Sequence, residues 1–218
     1  MSGAVGLYIS EDFGGNSVER ARKLLVGIPN GVTKAVRSAL PRAASALKTE
    51  STKAIRERYD ISAANIRAGE NITVKIHDTE AQVKFSGKKI PLYRYNGTTP
   101  KFPTTDNSKT IRTIVAGQLR PVHPSVAASA HQLKGTSVKR FENAFVAKMK
   151  SGHIGIFERT GGITSSGSNE IKELQGSSVP QMLGSKEVQD ELVNKASQKF
   201  EERMEHEIMR IMNGWSGT

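Results

Sequence analysis

An α+β fold is predicted by three patterns in the chain. Apolar residues recur at three- and four-residue steps near both ends, apolar and polar residues alternate in the middle, and Gly/Pro clusters separate these regions. Near the N-terminus Val18, Ala21, Leu24, Leu25 and Ile28 share one helical face, with Ser17 placed to cap it. Pro29-Asn30-Gly31 then ends the run. A second helix is expected from about Val32 to Tyr59 on Ala35, Val36, Ala39, Leu40, Ala44, Leu47, Ala54 and Ile55. Pro41 lies inside that pattern, so a kink or a fresh helix start is expected there. Arg37, Arg42, Lys48, Lys53, Arg56 and Arg58 read as its solvated side. At the other end Val188, Leu192, Ala196, Phe200, Met204, Ile208, Ile211 and Trp215 define a long amphipathic helix, with Ser185 as its cap.

Between these helices the period falls to two. Ile72, Val74 and Ile76 alternate with Thr73 and Lys75, and Ala81, Val83 and Phe85 alternate with Gln82, Lys84 and Ser86. His77-Asp78-Thr79-Glu80 is a four-residue hairpin loop on this pattern. Ile90 to Tyr95 is a third extended segment, carrying Tyr93 and Tyr95 on one side. Strand character returns at Ile111 to Ala116, and Ser125 to Leu133 is a candidate short helix. Phe145, Ala147 and Met149 then alternate with Val146, Lys148 and Lys150, and a Ser151-Gly152 turn leads to a partner strand through Ile154 and Ile156. Ile171 to Leu174 is a short edge strand, and Val179 to Leu183 a short helix with Pro180 in its first turn. Residues 1–16 are expected to form a flexible arm, and residues 17–218 a single domain with a long loop at about 96–110.

Composition narrows the function classes. The 218 residues hold no Cys, so the fold owes nothing to disulfides or thiolate metal sites. No apolar run is long enough to cross a bilayer, and Met1 to Asn16 lacks the charged and apolar regions of a secretory signal, so no membrane partner is expected. Net charge is +11, unevenly spread: +4 over residues 1–60, +10 over 61–160 and −3 over 161–218. Such a field attracts polyanions or an acidic neighbour.

Candidate sites follow from strand alternation. If Val74, Val83, Phe85, Phe145 and Met149 face the core, then Lys75, Lys84, Lys148 and Lys150 point outward, with Arg112 beside them. That face suits phosphate contact without base readout, and an ordinary solvated sheet face is the competing explanation. A subunit interface is expected from Tyr93, Tyr95, Lys101 and Phe102 in and after the third extended segment, and from Met209, Met212 and Trp215 at the end of the last helix. Met204 and Met212 also suit core packing. No catalytic, cofactor-binding or metal site is expected: the five His residues lack ligand spacing, and no P-loop, dinucleotide fingerprint or nucleophile elbow is present.

Four stretches carry a family resemblance: LLVGIPNGVTKAVRSALPRAASAL at Leu24 to Leu47, IRERYDISAANIRA at Ile55 to Ala68, AFVAKMKSGHIGIFERTG at Ala144 to Gly161, and IKELQGSSVPQML at Ile171 to Leu183. In this order they resemble the minor tail protein Z family of long-tailed bacteriophages and prophages, departing from its pattern at Pro41 and Gln175. The resemblance implies an antiparallel sheet flanked by an N-terminal helical pair and a C-terminal helix. It also implies a structural, non-enzymatic tail-completion protein without cofactors. Its expected form is a homo-oligomeric ring of about six copies at the head-proximal end of a non-contractile tail, in the neck of the virion. Tail terminator, tail tube and head connector would be its neighbours, and viral double-stranded DNA would pass through it. The rival readings are a tail-assembly factor absent from the virion, a stand-alone basic nucleic-acid-binding module, and an enzyme, for which no residue constellation argues.

Overall fold

The computed structural model describes residues 3–10, 15–101, 111–115, 118–122, 127–167, 169–184 and 186–214. Side chains of residues 10, 15, 111–115 and 118–122 are outside that description. The architecture is α+β, with helices toward both ends and several small antiparallel sheets between them. The chain divides into two compact units: the first holds 1–56, 66–88 and 178–218, the second 57–65 and 89–177.

In the first unit, α1 (Gly15–Leu24) buries Val18 and Ala21, and Leu25 follows as the next buried residue. Helix formation begins two residues before Ser17, which is buried in the first turn rather than capping it. Asn30, at φ +57°, precedes α2 (Gly31–Arg58), whose Ala35, Val36, Ala39, Leu40, Ala43, Ala44 and Leu47 are all fully buried. The helix runs through Pro41 as one 28-residue element. Pro41 has no N–H for the Arg37 carbonyl, but both residues are exposed, so water can satisfy that oxygen. Next come α3 (Ala63–Arg67), which starts in the second unit, and a 3₁₀ turn at Ala68–Glu70. Asn71 Nδ2 donates to the Ile66 carbonyl at 3.1 Å, tying that turn to the strand that follows.

Three strands form this unit's sheet in the order β1-β3-β2: β1 (Val5–Ser10), β2 (Ile72–His77) and β3 (Glu80–Phe85). Residues 5–10, expected within an arm, are thus an edge strand with Ile9 buried. The predicted β2–β3 pairing is present, but the loop is two residues shorter than expected. His77 pairs with Glu80, and Asp78-Thr79 makes the turn with Asp78 at φ +39°, a conformation Asp tolerates better than most residues.

The short helix α4 (Val179–Leu183) and the long helix α5 (Lys186–Met212) complete the unit. Pro180 fits the first turn of α4, and the Gln181 side chain reaches back to accept from the Ser178 N–H at 3.0 Å. The stripe predicted for α5 is buried at Leu192, Ala196, Phe200, Met204 and Ile208. Ser185 and Trp215 lie outside the described residues.

The second unit is a set of small sheets. β4 (Lys89–Pro91) pairs with β12 (Gln175–Ser178), and β5 (Ile111–Val115) with β6 (Gln118–Val122). β7 (Ala128–Ala130) pairs with β8 (Lys139–Phe141), so strand stands at Ala128–Ala130 within the helix expected over Ser125 to Leu133, of which Ser125 and Val126 lie outside the described residues. Thr99 and Ser129 also exchange backbone hydrogen bonds, a long-range pairing that outweighs the helical preference of the alanines. A fourth sheet of this unit has the order β11-β10-β9: β9 (Ala144–Lys148), β10 (Ile154–Ile163) and β11 (Asn169–Glu173), as the predicted hairpin and edge strand required. The expected extended segment at Ile90–Tyr95 is β4 followed by a 3₁₀ turn at Leu92–Arg94.

Candidate functional site

The β1-β3-β2 sheet sorts its side chains as alternation requires. Ile72, Val83, Phe85, Ala81 and Ile9 are buried on one face. The other face presents two cross-strand rows, Tyr8–Gln82–Lys75 and Gly6–Lys84–Thr73. Lys75 and Lys84 are exposed diagonal neighbours on this outward face, as predicted. Gln82 Nε2 donates to Tyr8 Oη at 2.7 Å, which fixes the exposed phenol over the central strand, with Lys75 on the other side of Gln82. Glu80 and His77 close the face at its far end.

The remaining basic candidates belong to other elements. Arg112 is in β5, Lys148 ends β9 and Lys150 occupies the turn after it, so no single sheet carries all five. The facing assigned to β9 is also corrected. Ala144 and Val146 are its buried residues, which places Lys148 on the same strand face as Val146, while Phe145 is half-buried on the opposite face. Phe145 is covered there by Arg159, whose guanidinium carbon is 4.7 Å from the ring centroid, and by Phe157 at 6.5 Å between centroids. Alternation failed because Ala144-Phe145-Val146-Ala147 is apolar at every position and carries no period of two.

Of the interface candidates, Lys101, Met209 and Met212 are exposed and Tyr93 is half-buried, its hydroxyl donating to the Lys101 carbonyl. Tyr95 is corrected. It is 3% exposed, and burial raises the pKa of its hydroxyl, so it belongs to the interior rather than to a docking face. Phe102 and Trp215 are outside the described residues. Met204 is fully buried, as expected, whereas Met212 is not.

Sequence reading did not find the best-connected polar cluster. Asp60, just past α2, accepts from Asn96 Nδ2 at 2.9 Å through Oδ1 and faces His131 Nδ1 at 2.7 Å through Oδ2. His131 Nε2 faces the Thr136 carbonyl at 3.0 Å. Backbone bonds reinforce the cluster: Asp60 N–H to the Gln132 carbonyl, Asn96 N–H to the Asp60 carbonyl, and Lys134 N–H to the Arg58 carbonyl. The Asn96 amide, and next the His131 ring, hold the Asp60 carboxyl below its ordinary pKa, while Asp60 raises that of His131. Both imidazole nitrogens face acceptors, leaving neither free to take a proton from a substrate. The cluster is a clamp between three chain segments. Its side-chain bonds join Asp60 to residues 36 and 71 positions away, separations that local periodicity does not encode.

In the first unit Glu207 is 2% exposed on α5, with Arg203 Nη2 3.4 Å and Arg210 Nη2 2.8 Å from its carboxylate oxygens. Among the described residues no group of three His, Asp or Glu side chains could hold a metal ion. No described helix is long and apolar enough to cross a membrane.

Residues 17–213 match the model of the family described as Prophage minor tail protein Z (GPZ). No curated protein and no solved structure matches the chain.

Proposed function

The chain belongs to the prophage minor tail protein Z family, which makes it a structural protein of a phage tail, and on that premise we propose that it is a tail-completion protein. In this proposal about six copies close into a ring at the head-proximal end of a non-contractile tail, a geometry that head-to-tail interfaces permit. The ring links tail tube or terminator to the head connector and surrounds the DNA channel. Lys75 and Lys84, with Arg112, Lys148 and Lys150 as further basic groups, supply positive potential toward the passing genome. Tyr93, Lys101, Met209 and Met212 belong to contacts between neighbouring copies.

The observation that carries this reading is the family match over residues 17–213, nearly the whole of a chain with a net charge of +11. The Asp60–His131 pair offers no free base, since both of its ring nitrogens face acceptors. Cryo-electron microscopy of tails assembled with and without the protein is the test. A ring of density at the head-proximal end that disappears when the gene is removed is expected. Tails of unchanged structure and full infectivity would overturn the reading, as would purified virions lacking the protein by mass spectrometry.

A further inference from the structure

We propose that the solvent-facing side of helix α2 is a docking surface for the phosphate backbone of duplex DNA. Lys34, Arg37, Arg42, Lys48, Lys53 and Arg56 project from this helix, all exposed except the half-buried Lys48. At 100° per residue they fall within an arc of about 160°, and at 1.5 Å per residue they extend over about 33 Å. The only acids of α2, Glu50 and Glu57, fall outside that arc. Among the described residues, Arg37 is the one member of the set with an acidic partner, Asp78 at 2.6 Å. The helix therefore offers five cations without counter-charges along one side of a single element.

The chemistry of the stripe favours a polyphosphate over an acidic protein. A protein interface is organised around buried aromatic or aliphatic anchors, and none lies between these cations. The intervening positions include Ser38, Pro41, Ser45 and Thr49, small side chains of which Ser45 and Thr49 border a groove shared with Lys195, Lys199 and Glu202 of α5, while Thr52 is buried beneath Arg67. The length of the stripe is close to one turn of a B-form duplex, about 34 Å. No aromatic side chain lies within α2, so bases have no stacking platform and binding is independent of sequence. The inference rests on the tail reading only in taking the passing genome as the source of the duplex.

Fluorescence anisotropy of the full chain with a labelled 30-base-pair duplex of mixed sequence tests the assignment, titrated between 50 and 200 mM salt. Five cations contacting phosphates give a slope of log K against log salt of about −4.5, since each contact contributes about −0.9. The variant combining Lys34→Gln, Arg42→Gln, Lys53→Gln and Arg56→Gln is expected to lose at least tenfold in affinity at 50 mM salt and to flatten the slope by about 3 to 4. Its circular dichroism should remain that of the parent, because the replaced side chains are exposed and Gln is a good helix former. Lys75→Gln with Lys84→Gln is the comparison, expected to change the slope by no more than about 2. A parent-like slope and affinity in the fourfold variant would overturn the assignment. So would unchanged duplex binding together with lost binding to poly-glutamate, which would assign the stripe to an acidic protein. Ring formation is read separately by microscopy, so failure here leaves the tail-completion proposal standing, and failure of that proposal leaves this one testable.

Discussion

His131 Nδ1 lies 2.7 Å from Asp60 Oδ2 while its Nε2 lies 3.0 Å from the Thr136 carbonyl, so the ring satisfies both partners only as a doubly protonated imidazolium. The sign of the pH dependence follows. The raised His131 pKa gives stability that is present below the ordinary imidazole value of 6.5 and lost as pH rises through the folded value. The lowered Asp60 pKa gives stability that is present above the ordinary value of 3.8 and lost as pH falls through the folded one. The clamp is therefore strongest between about pH 4 and 6.5. Melting temperatures measured from pH 5 to 9 should show a decline on the alkaline side that His131→Gln removes. Parallel profiles for the two proteins would refute the clamp.

Glu207 gives a prediction that rests on burial and pairing. Glu207→Gln leaves Arg203 and Arg210 facing each other across a neutral amide and is expected to destabilise the protein by about 1–3 kcal/mol. Both arginines are about a third exposed, which keeps the effect below that of a fully buried triad. Urea unfolding provides the measurement.

Gly176 is held by close approach. A Cβ at this position would lie 2.6 Å from the Tyr95 hydroxyl oxygen and 2.5 Å from Gln132 Nε2. Gly176→Ala should cost about 1–3 kcal/mol, because Tyr95 is buried and cannot swing away cheaply. Gly167→Ala, with no atom within 4 Å but a φ of +78°, separates steric overlap from backbone strain. Equal midpoints for Gly176→Ala and the parent would show that the Tyr95 pocket yields.

Phe200 is fully buried in the middle of α5, and Phe200→Ala should cost about 3–5 kcal/mol. Met209→Ala, about two and a half turns further along on an exposed site, should fall within about 0.5 kcal/mol in the isolated chain. A larger penalty for Met209→Ala when the assembled tail is heated would mark it as a contact between copies.

The helices were legible because their apolar residues repeat over many turns: the α5 stripe from Leu192 to Ile208 is buried as its spacing required. Pairing of β2 with β3 was legible from alternation and that of β9 with β10 from the Ser151-Gly152 turn, since each hairpin is local. What escaped depends on distant partners. β1 is a strand because β3, more than 70 residues later, offers it an edge, and β7 because β8 and Thr99 do. Tyr95 has the composition of an interface residue, and only the fold shows it turned inward. Of the candidate site, the outward direction of Lys75 and Lys84 was readable from alternation, but the grouping of all five basic residues on one sheet was not, because alternation assigns a side and never a neighbour.

Strand β1 has a practical consequence for anyone trimming this polypeptide. A fragment cut to the family boundaries, 17–213, would discard Val5–Ser10 and with them the ladder partner of Glu80–Phe85. Bare amide and carbonyl groups would then line that margin, and the site filled by Ile9 would open to water. Such a fragment should clump or recruit foreign strands where the longer polypeptide stays dispersed.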